Sequence, residues 1–334
     1  MFKKRVFIIS LAIVLGLATV YTLNRTSSSG SFTEISLRNP IPAITTGQTP
    51  LFVAQKKGFF NANGLNMTLE QGSRELNPIK MVAAGQNDFG MMGGIESLII
   101  ARSKGIKVKA IATLHRNSNF VCLVTLKDSG LTTLADLDDK RVGFFYGHIS
   151  TDVLRPLFKK EGVNVTEVNV GFDYNQLLSG QIDAQWAFTV RAALLLPSKG
   201  HEINIIRPQD YGVQTHGYTI FAMEDFIEKN PETVENFLKS LIQGVDYSLE
   251  NPVEAVDVLL DINDSLDRDF ALQSQKIFDS VTSHSDQYPI GYMDRDMFLE
   301  AYNRLNAEGL IENEFDVGDL FMTAYLERAH GNSP

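Results

Sequence analysis

Four short segments hold the side chains best suited to chemistry. Thr45-Thr46-Gly47-Gln48-Thr49-Pro50 sits between a first apolar run and a helical pattern that opens at Pro50. Gly93-Gly94-Ile95-Glu96-Ser97, Phe145-Tyr146-Gly147-His148 and Trp186-Ala187-Phe188-Thr189 likewise stand where strand-like runs end. Hydroxyls, amides and aromatic faces at such points suit a planar polar molecule, held by stacking and a few hydrogen bonds. The candidate contacts are Thr46, Gln48, Gly94, Glu96, Tyr146, His148, Trp186, Phe188 and Thr189, joined by His115, Arg191, His216 and Tyr218. Several have a second reading. Trp186, the only tryptophan, suits a core as well as a stacking face. Glu96 suits the first turn of a helix, whose dipole favours an acid. Phe145 and Tyr146 alternate, so one faces inward, and Tyr146 beside Gly147 is assigned to the cleft. Arg191 is an anion clamp or a surface residue, and His216 adjoins a candidate hinge.

Signatures of catalysis are scarce. The chain has no Gly-x-Ser-x-Gly elbow, no Gly-x-Gly-x-x-Gly fingerprint and no phosphate loop. Its six histidines never reach the His-x-x-x-His spacing of a helical zinc site. Asp138-Asp139 and Asp261-x-x-Asp264 read as solvated turn residues. The one cysteine, Cys122, lies in the apolar run Phe120-Val121-Cys122-Leu123-Val124 and reads as a structural thiol. No catalytic residue, metal or cofactor is therefore expected.

The elements that must position these residues are announced by a repeat. Residues 81–90 and 177–186 both carry an apolar helical stretch, a small residue, Gly-Gln-x-Asp and the start of an apolar strand. Glycine fits a helix C-cap because it enters the left-handed region without a Cβ clash. Two such units predict two similar α/β lobes facing one cleft. Strand-like runs at 35–37, 65–70, 108–114, 120–126, 141–146, 165–170, 184–188, 203–206 and 218–223 alternate with helical runs at 50–57, 78–84, 95–104, 151–161 and 174–179. That alternation predicts largely parallel sheets. Beyond Glu224 the pattern turns helical. Asn230-Pro231 and Asn251-Pro252 read as N-caps, with Glu254 as a capping-box acid. A last long helix is expected from Asp294 or Asp296 to Glu308, and three or four C-terminal helices should pack on a lobe already formed.

The chain of 334 residues has room for two domains. Residues 1–31 carry Lys3, Lys4, Arg5 and Arg25, no acid, and an uncharged apolar run from Val6 to Leu23. They read as an export signal or an uncleaved membrane anchor. Without those four charges the formal net charge falls from −10 to −14. So acidic a body repels nucleic acid, which is excluded as a partner.

Pro50-Leu51-Phe52-Val53-Ala54-Gln55-Lys56-Lys57-Gly58-Phe59-Phe60, followed by Gly64-Leu65, resembles the start of exported binding proteins of ABC transporters. Ile99-Ile100-Ala101-Arg102-Ser103-Lys104-Gly105-Ile106, Ile206-Arg207-Pro208-Gln209-Asp210-Tyr211-Gly212-Val213 and Leu249-Glu250-Asn251-Pro252 extend the likeness over residues 40–327. Within that group the chain is similar to the thiamine-pyrimidine-precursor and riboflavin binding branch of the thiamine pyrimidine synthase-like superfamily. The resemblance implies a two-lobed periplasmic-binding-protein-like fold of type II. Two mixed, mostly parallel sheets would be joined by a hinge of two crossovers, with the extra C-terminal helices on lobe 1. It places lobe 1 at 32–118 and 222–328, lobe 2 at 119–221 and a tail at 329–334. It implies a heteroaromatic vitamin precursor as ligand, ABC permease and ATPase subunits as partners, and an extracytoplasmic location. The superfamily's pyrimidine-forming enzymes carry a cysteine-rich motif, and this chain has Cys122 alone. Pyrimidine-precursor binders tend to have an acid shortly after the second-lobe strand, where Phe188-Thr189-Val190-Arg191 stands here. A basic residue there suits a carboxylate, sulfonate or phosphate, so an organic-sulfonate or similar small-anion binder is the alternative. A membrane-tethered sensor with the same fold is another.

Overall fold

The computed structural model describes residues 32–73, 75–116, 121–146, 149–282, 285 and 287–331, the side chains of 149–152 excepted. The leader at 1–31 and His148 lie outside the described residues. Among those described, no helix is long and apolar enough to cross a membrane.

The first sheet holds β1 (Thr33–Arg38), β2 (Leu65–Glu70), β3 (Phe89–Met92) and β4 (Val108–His115). The second holds β5 (Val121–Leu126), β6 (Lys140–Phe144), β7 (Val165–Asn169), β8 (Ala184–Phe188) and β9 (Ile203–Ile206). A tenth strand, β10 (Gly217–Met223), returns to the first sheet. Helices α1 (Thr49–Lys56), α2 (Phe59–Ala62), α3 (Pro78–Ala83) and α4 (Glu96–Ser103) follow the early strands. In the second lobe stand α5 (Ile149–Lys160), α6 (Asn175–Leu178) and α7 (Thr189–Ser198). After β10 come α8 (Glu224–Lys229), α9 (Pro231–Glu250), α10 (Pro252–Ile262), α11 (Arg268–Val281), α12 (Arg295–Ala307) and α13 (Ala324–Ala329).

The sheets have matching strand orders, β2-β1-β3-β10-β4 and β7-β6-β8-β5-β9. In the first, β1 pairs in parallel with β2 and β3, while β10 runs antiparallel between β3 and β4. In the second, β6 pairs in parallel with β7 and β8, while β5 runs antiparallel between β8 and β9. Four strands of each sheet thus share one direction. Helices cover both faces, which is why β3, β4, β5 and β8 are buried almost throughout and read as near-continuous apolar runs.

The repeated Gly-Gln-x-Asp falls at equivalent places, before β3 and before β8. Gly85 and Gly180 both take φ 70°. The backbone N–H of Gln86 donates to Met81 at 3.0 Å, and that of Gln181 to Gln176 at 2.9 Å, the same helix-ending turn in both lobes. Each aspartate then ties the outgoing strand to its parallel neighbour. Asp88 accepts from the Ser36 N–H at 2.8 Å, and Asp183 from the Arg141 N–H at 2.9 Å.

The C-terminal helices pack on lobe 1 as expected. Val234, Phe237, Leu238, Leu241 and Val245 of α9 join Leu37, Phe89 and Ile220 of the sheet in one core. Their capping differs from the expectation. Asn230 and Asn251 accept no N-terminal amide; each donates its side-chain amide backward, to Phe226 O at 2.9 Å and Tyr247 O at 3.1 Å. They close the preceding helix, because helix follows helix with one shared residue. Glu254 is correspondingly drawn away from a capping box to Lys57 and the Tyr247 hydroxyl. Asp294 is a true N-cap, accepting from Met297 N at 2.8 Å.

The chain passes to the second sheet between His115 and Val121 and returns between Ile206 and Gly217. The return precedes the expected residue 222, so Gly217–Phe221 belong to the first sheet and not to lobe 2. The two crossings are neighbours, since His115 pairs with Gly217 across β4 and β10. Burial there holds the imidazoles of both His115 and His216 well below their usual range, to about 3, with the Arg116 and Arg304 charges adding to the effect at His216.

Two predictions follow from these contacts. Asp88→Ala and Asp183→Ala should each lower stability by about 1–3 kcal/mol in urea unfolding, while changes at the exposed Gln86 and Gln181 stay within about 0.5 kcal/mol. The hinge histidines set a pH dependence. In the unfolded chain they take up protons near pH 6.5, whereas in the fold they stay neutral down to about pH 3. Their contribution is therefore complete above pH 6.5 and is lost as pH falls from 6.5 toward 3, by about 1.4 kcal/mol per pH unit for each. Denaturation across that window should show His115→Gln and His216→Gln each flattening the slope by about one proton; an unchanged slope would refute the assignment.

Candidate ligand-binding site

The chain segments that follow β1 and β8 meet between the lobes, at the carboxyl ends of strands where open α/β sheets bind ligands. Helix α7 of lobe 2 packs on α11 of lobe 1, and α5 lies against α4 and α12, where Lys159 pairs with Glu308 at 2.8 Å across the lobes.

Between these contacts lies a cavity of about 250 Å³. Lobe 1 supplies Ile41 to Thr46 in part, Tyr218, the Asn263–Leu266 turn and the α11 face carrying Phe270, Ser274 and Phe278; lobe 2 supplies Phe188, Val190 and Arg191. Of the residues named from the sequence, Thr46, Phe188, Arg191 and Tyr218 line it together. The Thr46 and Ser274 hydroxyls meet at 2.6 Å. Tyr218 has φ 48°, an unusual conformation for an aromatic residue. Its ring lies so close to Gly47 that a Cβ there would fall inside it, which explains the glycine. Burial pushes its phenol up to about 12, against an opposing hydrogen bond from Thr45.

The other predicted contacts have different places. Glu96 is fully buried and paired with Arg304 of α12 at 2.7 Å, an ion pair inside lobe 1. Gln48 is buried and donates to Ala43 O at 3.4 Å, bracing its own loop; Gly94 is buried in the β3–α4 turn. His115 packs against Tyr218 and Phe278, with ring centroids 5.3 and 5.0 Å away. His216 is buried beside it at the hinge. Trp186 is 2% exposed, stacked on Phe145 at 6.0 Å and edge-on to Phe188 at 5.2 Å. It takes the core alternative, behind the wall that Phe188 presents. Tyr146 is half-buried beneath the Arg155 guanidinium. Thr189 is the first residue of α7, not a loop residue, and hydrogen-bonds Cys122, whose thiol burial pushes up to about 12.

Sequence reasoning missed the contribution of α11. A signal existed. Ala271, Ser274 and Phe278 recur at helical spacing on one face, and a serine on an apolar face marks a partner other than plain core.

The formylaminopyrimidine-binding protein of Halalkalibacterium halodurans is 26% identical over 285 residues, covering 82% of this chain and 85% of that one. The 4-amino-5-hydroxymethyl-2-methylpyrimidine phosphate synthase THI5 of Saccharomyces cerevisiae is 27% identical over 66% of this chain and 69% of its own. Riboflavin-binding protein RibY of Chloroflexus aurantiacus is 24% identical over 83% of this chain and 82% of its own. Among solved structures, the periplasmic aliphatic sulphonate binding protein SsuA of Escherichia coli superposes with a TM-score of 0.68. At 13% identity, over 86% of this chain and 96% of that one, it shows the shared two-lobed fold. The family described as NMT1/THI5 like matches residues 45–255, and the chain belongs to it.

Proposed function

We propose that this chain is the extracytoplasmic solute-binding component of an ABC importer and holds a small heteroaromatic vitamin precursor between its lobes. The observation that carries this reading is the cavity of about 250 Å³ built jointly by both lobes. A ligand that touches both sides favours the closed arrangement, and closure is what a permease can sense. Permease and ATPase subunits are accordingly the partners. The size favours one ring: an apolar cavity of about 150 Å³ takes benzene, so this one holds a substituted six-membered ring more readily than a three-ring flavin.

The family includes synthases as well as binding proteins, and the side chains here support binding. Cys122 is fully buried with its thiol pushed up to about 12, so it offers no thiolate at neutral pH. His115 and His216 are held neutral far below the range useful to a general acid.

Thermal-shift and fluorescence titration test the proposal. An aminopyrimidine precursor at 100 times its Kd should stabilise the chain by about 2.7 kcal/mol and alter the emission of Trp186, which lies behind Phe188. Phe188→Ala should weaken that binding about 3- to 10-fold with little change in melting temperature. Gly47→Ala, which displaces Tyr218, should weaken it as well. The reading fails if no pyrimidine or flavin shifts the melting point. An alkaline-phosphatase fusion to the C-terminus should be active only with residues 1–31 present.

A further inference from the structure

The cavity has an uncompensated cation. Arg191 is the only charged residue among those lining it. Its Nε is buried without a hydrogen-bond partner, and among the described residues no carboxylate pairs with it. Other arginines held in the protein are treated differently: Arg38 meets Glu70, Arg116 meets Asp294, and Arg304 meets Glu96. The groups nearest Arg191 supply no countercharge. Tyr174 lies within reach of its charge, but burial pushes that phenol above its usual range, so it supplies no anion.

A guanidinium without a counterion, set against Phe188, Tyr218, Phe270 and Phe278, is a poor structural element and a good recognition element. Its planar fork matches an oxyanion, and the aromatic walls match an apolar body. The surrounding field adds nothing to this selectivity, because a chain of net charge −10 repels anions at long range. Capture of an anion must then rest on a local cation.

We infer that the ligand carries an oxyanion (carboxylate, sulfonate and phosphate share the chemistry) on a ring or short apolar body, with Arg191 as its anchor. This deepens the inter-lobe binding reading and rests on it. Calorimetry on the full chain with matched pairs tests it: pyrimidine-5-carboxylate against its carboxamide, nicotinate against nicotinamide, and ethanesulfonate against ethanesulfonamide. The charged member of at least one pair should bind about 10- to 100-fold tighter. Arg191→Gln should reduce that preference below about 3-fold while leaving the melting temperature within a few degrees, and Arg191→Lys should retain part of it. Equal or tighter binding of the neutral members, or no binding by any charged member, overturns the inference. Tight binding of a neutral ring compound alone leaves the heteroaromatic reading standing without it. An Arg191-dependent preference confined to the ethanesulfonate pair keeps the anchor and removes the heteroaromatic reading.

Discussion

The joining of the two lobes depends on two ladders of backbone hydrogen bonds. The outgoing and returning passages between the lobes are not two independent strings. In the first sheet β4 and β10 are paired from Val108–Met223 to His115–Gly217. In the second, β5 and β9 are paired from Leu123–Ile206 to Leu126–Ile203. Both passages are therefore held side by side at each end. The buried imidazoles of His115 and His216 stand at this crossing, where burial keeps them uncharged.

The C-terminal helices pack against that crossing. Helix α11 presses Phe278 against His115 and Tyr218 on one side and meets α7 of the other lobe on the other. The cavity lies where the lobe crossing, the first-strand loop and this added helix meet. Arg191, in the first turn of α7, belongs to lobe 2, while Thr46 and Ser274 belong to lobe 1. A molecule touching both groups bridges the two lobes.

Much of the fold was legible because the lobes repeat a local signal. Gly85 and Gly180 mark helix ends through a backbone conformation only glycine adopts cheaply, and Asp88 and Asp183 mark the strands that follow. The site was less legible. Helix α7 starts directly from β8 with no side-chain cap and contains Pro197, so nothing in its first residues announces a helix. Asn230 and Asn251 carry the composition of N-caps, yet the tight succession of helices turns their amides backward. Glu96 and Trp186 have the chemistry of ligand contacts, and only tertiary partners, Arg304 and Phe145, reveal them as interior residues. Pattern reveals which residues are polar near a strand end; it does not reveal which of them already have a partner.

The strand orders carry a last consequence. Divided between β5 and β6, the chain is two successive sets of five strands, β1 to β5 and β6 to β10. Each set keeps its first four strands and gives its fifth to the other: β5 sits inside the second sheet and β10 inside the first. This is reciprocal strand exchange within one polypeptide. Neither set alone can complete a continuous sheet, because the missing strand is internal, between β3 and β4 or between β8 and β9. The two sheets belong for that reason to a single compact unit, each finished only by a segment of the other.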